Sequence, residues 1–165
     1  MKNVKEWIVA IVLVLVVVGG ISAYWSARQI DQIDRKSADT QTLNLIEKRK
    51  TGAALTLLTI DEARALQKSG KAVFLDARPD REYQYAHIPN AIMSYYVEVK
   101  TNPQVVALDR NQPVVAYCNS TKCAMAEVLA TKLIEIGFTR VYVFPGGMKE
   151  WIGAKLPIQA AEVLQ

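Results

Sequence analysis

The chain has 165 residues, with 20 Lys and Arg against 16 Asp and Glu, two Cys and a single His. That length suits one compact domain with an anchor and a linker, and excludes two full domains. The formal charge of +4 invites a nucleic-acid reading that its position defeats: residues 51–165 carry 12 basic and 11 acidic side chains, so most of the excess flanks the N-terminal apolar run instead of forming a phosphate-tracking stripe.

The first element in the chain is an uncharged run of 21 residues, Trp7 to Ala27, whose centre is almost entirely Val, Ile and Leu. At helical rise it reaches about 31 Å, close to the hydrocarbon thickness of a bilayer. Trp7, Tyr24 and Trp25 stand where interfacial aromatic belts lie. A buried strand or helix does not normally run so long without a polar position. Residues 1–27 are therefore predicted to form a single-pass membrane anchor that meets lipid through residues 7–27. A cleaved signal peptide competes, with Lys2 and Lys5 as its basic region and Ile21-Ser22-Ala23 before the cut. The apolar stretch is long for that role and bulky Tyr24 would follow the cut, which favours an uncleaved anchor. Lys2 and Lys5 on one flank, against Arg28, Arg35 and Lys36 on the other, lean slightly toward a domain on the exported face of the cell membrane.

Residues 28–55 are polar and end in Glu47-Lys48-Arg49-Lys50-Thr51-Gly52; they read as a linker or stalk, helical near the membrane. From there to residue 160 helical and strand patterns alternate. Thr59 with Glu62 predicts a capping box, opening a helix with Ile60, Ala63 and Leu66 on its apolar face and Gly70 at its end. Ala72-Val73-Phe74-Leu75 predicts a buried strand that delivers Asp76 to its C-terminal end. Pro113 to Tyr117 predicts a second strand, with Cys118 directly after it. Ala124 to Ile136 has helical spacing and Gly137 as its stop, and Val141 to Phe144 predicts a third strand. Strands alternating with helices imply an α/β fold with a central, mainly parallel sheet covered on both faces, whose sites form beyond the carboxyl ends of the strands.

Cys118 is placed at such an end. It opens the loop Cys118-Asn119-Ser120-Thr121-Lys122-Cys123, which runs into a helix N-terminus. Helix-start amides and the helix dipole favour an anion there, and a thiolate so placed is activated as a nucleophile. Lys122 adds a cation. The bland alternative is that Cys118 is a small buried hydrophobe. Two thiolates with one distant histidine are too few ligands for a metal, so neither a metal nor a cofactor is expected.

Over roughly Leu57 to Pro157 the chain resembles the rhodanese family. The resemblance rests on Leu75-Asp76-Ala77-Arg78, Glu82-Tyr83 and His87-Ile88-Pro89-Asn90-Ala91, on Cys118 at the catalytic position, and on Gly137-Phe138, Val141-Tyr142-Val143, Gly146-Gly147 and Trp151. It implies a three-layer rhodanese-like fold and a sulfur-transfer reaction. In that reaction the cysteine thiolate takes sulfane sulfur from a small donor as a persulfide, cradled by loop amides, and passes it to a thiol acceptor. Two departures stand out. Asn119 stands where arginine is frequent and Cys123 where arginine or threonine is, and Thr121 replaces a frequent glycine; the missing arginines weaken the case for an oxyanion donor such as thiosulfate. A cysteine phosphatase is excluded, because Ala124 stands where its loop arginine would be.

Cys123 is either a resolving thiol that attacks the persulfide or a packed residue at the helix start. Its separation from Cys118 exceeds that of redox Cys-x-x-Cys pairs and calls for loop movement. Asp76, Arg78 and His87 are expected to support the site, the first two as a buried pair and His87 as a turn residue bonded to backbone. Two other function classes stay open. One is a non-catalytic interaction module with a membrane-protein partner, and the other is a thiol oxidoreductase using both cysteines.

Overall fold

The computed structural model describes residues 24–26, 28–29, 32, 39–44 and 55–160. The chain divides into two units, residues 1–41 and 42–165. In the first, residues 24–26, 28–29 and 32 are helical. No helix among the described residues is long and apolar enough to cross a membrane, and the predicted span over 7–27 lies outside them apart from Tyr24, Trp25 and Ser26.

The second unit holds five strands and five helices among its labelled elements. In order they are β1 (Thr56–Leu57), α1 (Ile60–Ser69), β2 (Val73–Asp76), α2 (Asp80–Tyr85), β3 (Ile92–Met93), α3 (Pro103–Val106), β4 (Val114–Tyr117), α4 (Met125–Glu135), β5 (Val141–Phe144) and α5 (Gly147–Gly153). The strands form one parallel sheet in the order β1-β5-β4-β2-β3. After β2 the chain builds outward to β3, then returns to place β4 beside β2 and β5 beyond it. The strand order therefore reverses between β2 and β4, and in open α/β sheets the crevice beyond such a reversal is where ligands bind.

Local chemistry sets the element ends. Thr59 and Glu62 close a reciprocal capping box at the start of α1: the Thr59 amide donates to Glu62 Oε2 at 2.8 Å and the Glu62 amide to Thr59 Oγ1 at 3.4 Å. Gly70 ends that helix at φ 65°, a conformation a Cβ would strain.

Side chains alternate across the sheet, so each strand feeds two layers. Phe74, Val115, Tyr117, Tyr142 and Phe144 face one side, with Ala63 and Leu66 of α1 and Met148 and Trp151 of α5. Leu75, Ala77, Val114, Ala116, Cys118 and Val143 face the other, under Ala126, Leu129, Ala130 and Leu133 of α4 and Val105 of α3. The strands are apolar on both faces because helices cover both. Leu129 and Leu133 are fully buried, so cutting either to Ala costs about 2–5 kcal/mol. Leu43, from the segment predicted as stalk, packs against the first of these layers.

Candidate active site

Cys118 is the first residue beyond the central strand β4, at the reversal point of the sheet. It is 2% exposed, as in the alternative of a small buried residue, because strand alternation turns its side chain into the layer under α4. Its sulfur is joined to that of Cys123, with Cα atoms 6.2 Å apart. The loop turns back on itself between them: the Cys123 amide donates to the Ser120 carbonyl at 2.9 Å. Asn119, Thr121 and Lys122 are exposed, whereas Ser120 and Cys123 are half-buried.

A floor of main-chain hydrogen bonds holds the loop. The Met148 amide donates to the Cys118 carbonyl at 3.0 Å, and the Lys149 amide donates to the Asn119 carbonyl at 2.9 Å. Gly147 makes this approach feasible. It has φ 55°, and a Cβ on it would collide with the Cys118 carbonyl oxygen and lie 2.8 Å from the carbonyl carbons of Cys118 and Asn119. On the other side of the loop, Ala124 gives α4 no side-chain cap, so the first amides of that helix have no side chain competing with an anion.

Asp76, Arg78 and His87 are not brought together with Cys118. Asp76 ends β2, and alternation between Leu75 and Ala77 sends its side chain to the opposite face of the sheet. There Arg78 grips it, with Nε 3.0 Å from Oδ1 and Nη2 2.7 Å from Oδ2, while Nη2 also donates to the Ala86 carbonyl at 2.6 Å. Burial works against the Arg78 charge, but the hydrogen bonds and charge of Asp76 win and hold its pKa above the ordinary value. Burial, with the Asp76 charge adding to it, pushes the Tyr117 phenol far above its ordinary range. That phenol oxygen accepts the Ile88 amide at 3.2 Å. His87 is spent on structure. Its Nδ1 lies 2.8 Å from the Tyr83 carbonyl, which makes it the protonated nitrogen, and its ring stacks on Tyr83 at 3.9 Å. Its main chain exchanges two hydrogen bonds with Gln159, at 2.8 and 2.9 Å. This network fixes the segment from β2 to β3, and so the neighbour of β4.

Ser94 was not singled out by sequence, and its type and neighbours carry no signal. Its amide donates to the Asp76 carbonyl at 2.9 Å while the Ala77 amide donates to the Tyr117 carbonyl at 2.9 Å, so Ser94, Ala77 and Cys118 extend one row across three strands. Ser94 follows Ile92 by two residues, which puts it on the Cys118 face. Its hydroxyl is fully buried and has no hydrogen-bond partner. Among the described residues no cluster of three or more His, Cys, Asp or Glu is placed to hold a metal.

Residues 59–154 match the Rhodanese-like domain family. The chain belongs to that family. The thiosulfate sulfurtransferase GlpE of Vibrio cholerae is 30% identical over 108 residues, covering 63% of this chain and 94% of that protein. An HTH-type transcriptional regulator of Mycobacterium tuberculosis is 32% identical over 107 residues, which are 65% of this chain and 46% of the regulator, so the chain spans less than half of that relative. The rhodanese fold itself is shared with the BH2092 protein of Bacillus halodurans at TM-score 0.59 and 22% identity, over 74% of this chain and 86% of that one. It is shared too with a thiosulfate sulfurtransferase of Pseudomonas aeruginosa at TM-score 0.57 and 23% identity, over 75% of this chain and 23% of that one.

Proposed function

We propose that this rhodanese-like chain is a membrane-anchored sulfurtransferase that carries sulfane sulfur as a persulfide on Cys118 and passes it to a thiol or another nucleophile. The observation that carries the proposal is the position of Cys118. It is the single cysteine directly after the central strand, on a loop pinned by the Met148 and Lys149 amides and leading into a helix start free of any side-chain cap. The uncapped first amides of α4 are the groups that would favour sulfur in its anionic form, as thiolate and as persulfide. Family membership and the sulfurtransferase relatives support the same reaction class.

The loop bears on the donor as well. Neither Asn119 nor Cys123 supplies a guanidinium fork for the sulfonate end of thiosulfate, so a polysulfide or low-molecular-weight persulfide suits this loop better. Anchoring is part of the proposal and rests on the uncharged run from Trp7 to Ala27, which would hold the enzyme beside lipid and any membrane-protein partner.

The test is turnover. The full-length chain is reduced with a dithiol, freed of it, and given polysulfide and a thiol acceptor, and persulfidated acceptor is followed over time. Wild type should form it catalytically and Cys118→Ser should not, since a hydroxyl does not accept sulfane sulfur at neutral pH. Equal turnover in Cys118→Ser would sink the proposal.

A further inference from the structure

We infer that Cys123 is a resolving thiol, which gives the loop a second activity: reducing sulfane sulfur to sulfide at the expense of a dithiol. This rests on Cys118 being the sulfur carrier, and it decides what happens to the sulfur when no acceptor arrives. Three observations carry it. The two sulfurs are directly bonded in the folded chain. Cys118 is almost wholly buried and the Cys123 sulfur is already within bonding range of its Sγ, so the internal thiol competes with any external one for that atom. Cys123 itself is only half-buried where it packs against the layer under α4, and it stands between exposed Lys122 and Ala124, so it is the less shielded of the two cysteines.

The chemistry balances in two stages. In the first, the Cys118 thiolate takes a terminal sulfur from a polysulfide, and the shortened polysulfide leaves with the electron pair of the broken S–S bond. The Cys123 thiolate then attacks Cys118 Sγ, the bond from Sγ to the sulfane sulfur breaks, and that sulfur departs with the electron pair as hydrosulfide, keeping the persulfide proton or taking one from water. Two thiols have become one disulfide, and one sulfane sulfur has been reduced to sulfide. Attack on Sγ, not on the outer sulfur, follows from the geometry: the backbones at Cys118 and Cys123 stand at the spacing of a direct Sγ–Sγ bond, with Cα atoms 6.2 Å apart.

In the second stage an external dithiol resets the loop. Its thiolate attacks Cys123 Sγ, the sulfur of the less buried cysteine, and Cys118 leaves as a thiolate that the helix start stabilises. The second thiol of the dithiol then displaces Cys123, and the reductant departs as its own disulfide. The structure is therefore that of the spent form, and a chain in this state has no thiolate to load.

The experiment uses the full-length chain, reduced with a dithiol and then freed of it, and given a single equivalent of glutathione persulfide. Free sulfide and non-reducing intact mass are followed together in wild type, Cys118→Ser, Cys123→Ser and Cys123→Ala. The inference expects wild type to release one sulfide per chain and lose two hydrogens. Both Cys123 variants should gain one sulfur and keep it, with sulfide release falling to the Cys118→Ser background. Two Cys123 variants guard against a fold defect in one of them. A persulfide equally long-lived in wild type and in both Cys123 variants overturns the resolving role and leaves sulfur transfer standing. Failure of every variant and of wild type to gain or release sulfur overturns the carrier role of Cys118 instead.

Discussion

Gly147 lies so close beneath Cys118 that a single added methyl group would strike the Cys118 carbonyl oxygen. The contact joins the start of α5 to the first residue of the candidate loop, and it lets the Met148 amide reach that same carbonyl at 3.0 Å. Gly147→Ala therefore meets two obstacles, the collision and a φ of 55°. It should cost about 1–3 kcal/mol of stability and slow sulfur loading of the folded chain. Urea midpoints and loading rates measured on one preparation check this. Wild-type values for both would show that the loop does not depend on its floor.

Asp76 and Arg78 are both buried, and each is the other's main charge partner. Asp76→Ala leaves a buried guanidinium with only Glu82, 3.6 Å away, and the Ala86 carbonyl as partners. The expected loss is about 3–5 kcal/mol, read from urea unfolding. The pair lies on the far side of the sheet from Cys118, so the fraction still folded should load sulfur at the wild-type rate. A well-folded Asp76→Ala chain that loads slowly would place Asp76 in the reaction.

Tyr117 gives the stability a pH signature. Its folded pKa is raised, chiefly by burial and then by Asp76, so the folded state disfavours the phenolate. The sign follows: the unfolded chain gives up that proton at about 10, and the stabilisation is complete below that pH and lost as the pH climbs from there toward the folded value. Tyr83, raised by burial and by Asp76, contributes in the same direction. Urea midpoints should thus hold steady from about pH 8 to 9.5 and fall above 10. Tyr117→Phe should be less stable at neutral pH, because the Ile88 amide loses its acceptor, yet decline less steeply above 10. Parallel alkaline declines in the two chains would assign the effect elsewhere.

Ser94 is a fully buried hydroxyl without a partner, in the row that contains Cys118. An unsatisfied buried hydroxyl costs about 1–3 kcal/mol, so Ser94→Ala should raise the stability of the chain by about 1 kcal/mol. A drop of that size in the urea midpoint would show that the hydroxyl is bonded after all.

Much of the sheet was legible because its central strands are apolar on both faces. The patterns at Ala72–Leu75, Pro113–Tyr117 and Val141–Phe144 fall within a residue of β2, β4 and β5. The capping box at Thr59 and Glu62 and the stop at Gly137 marked helix ends through side-chain chemistry that is local in sequence. β1 and β3 were not legible. Each has two residues, and each exists because a longer neighbour, β5 or β2, offers it a free edge. At the site, position was readable and direction was not. Sequence placed both Asp76 and Cys118 at strand ends, but which face each side chain takes depends on register, and register sends them to opposite layers. Sequence raised the pairing of Cys118 with Cys123 but not the loop curvature that joins them, which the Ser120 turn and Gly147, from a distant part of the chain, set.

The most direct measurement of whether Cys118 carries sulfur uses the Cys123→Ser chain, in which no disulfide forms within the loop. The reduced full-length variant is exposed to polysulfide, freed of donor and weighed intact without reductant. A gain of one sulfur, absent when Cys118→Ser is added, is the predicted result. No gain in Cys123→Ser, together with a gain in Cys118→Ser alone, would show that the loop loads at Cys123 and would contradict the assignment of Cys118.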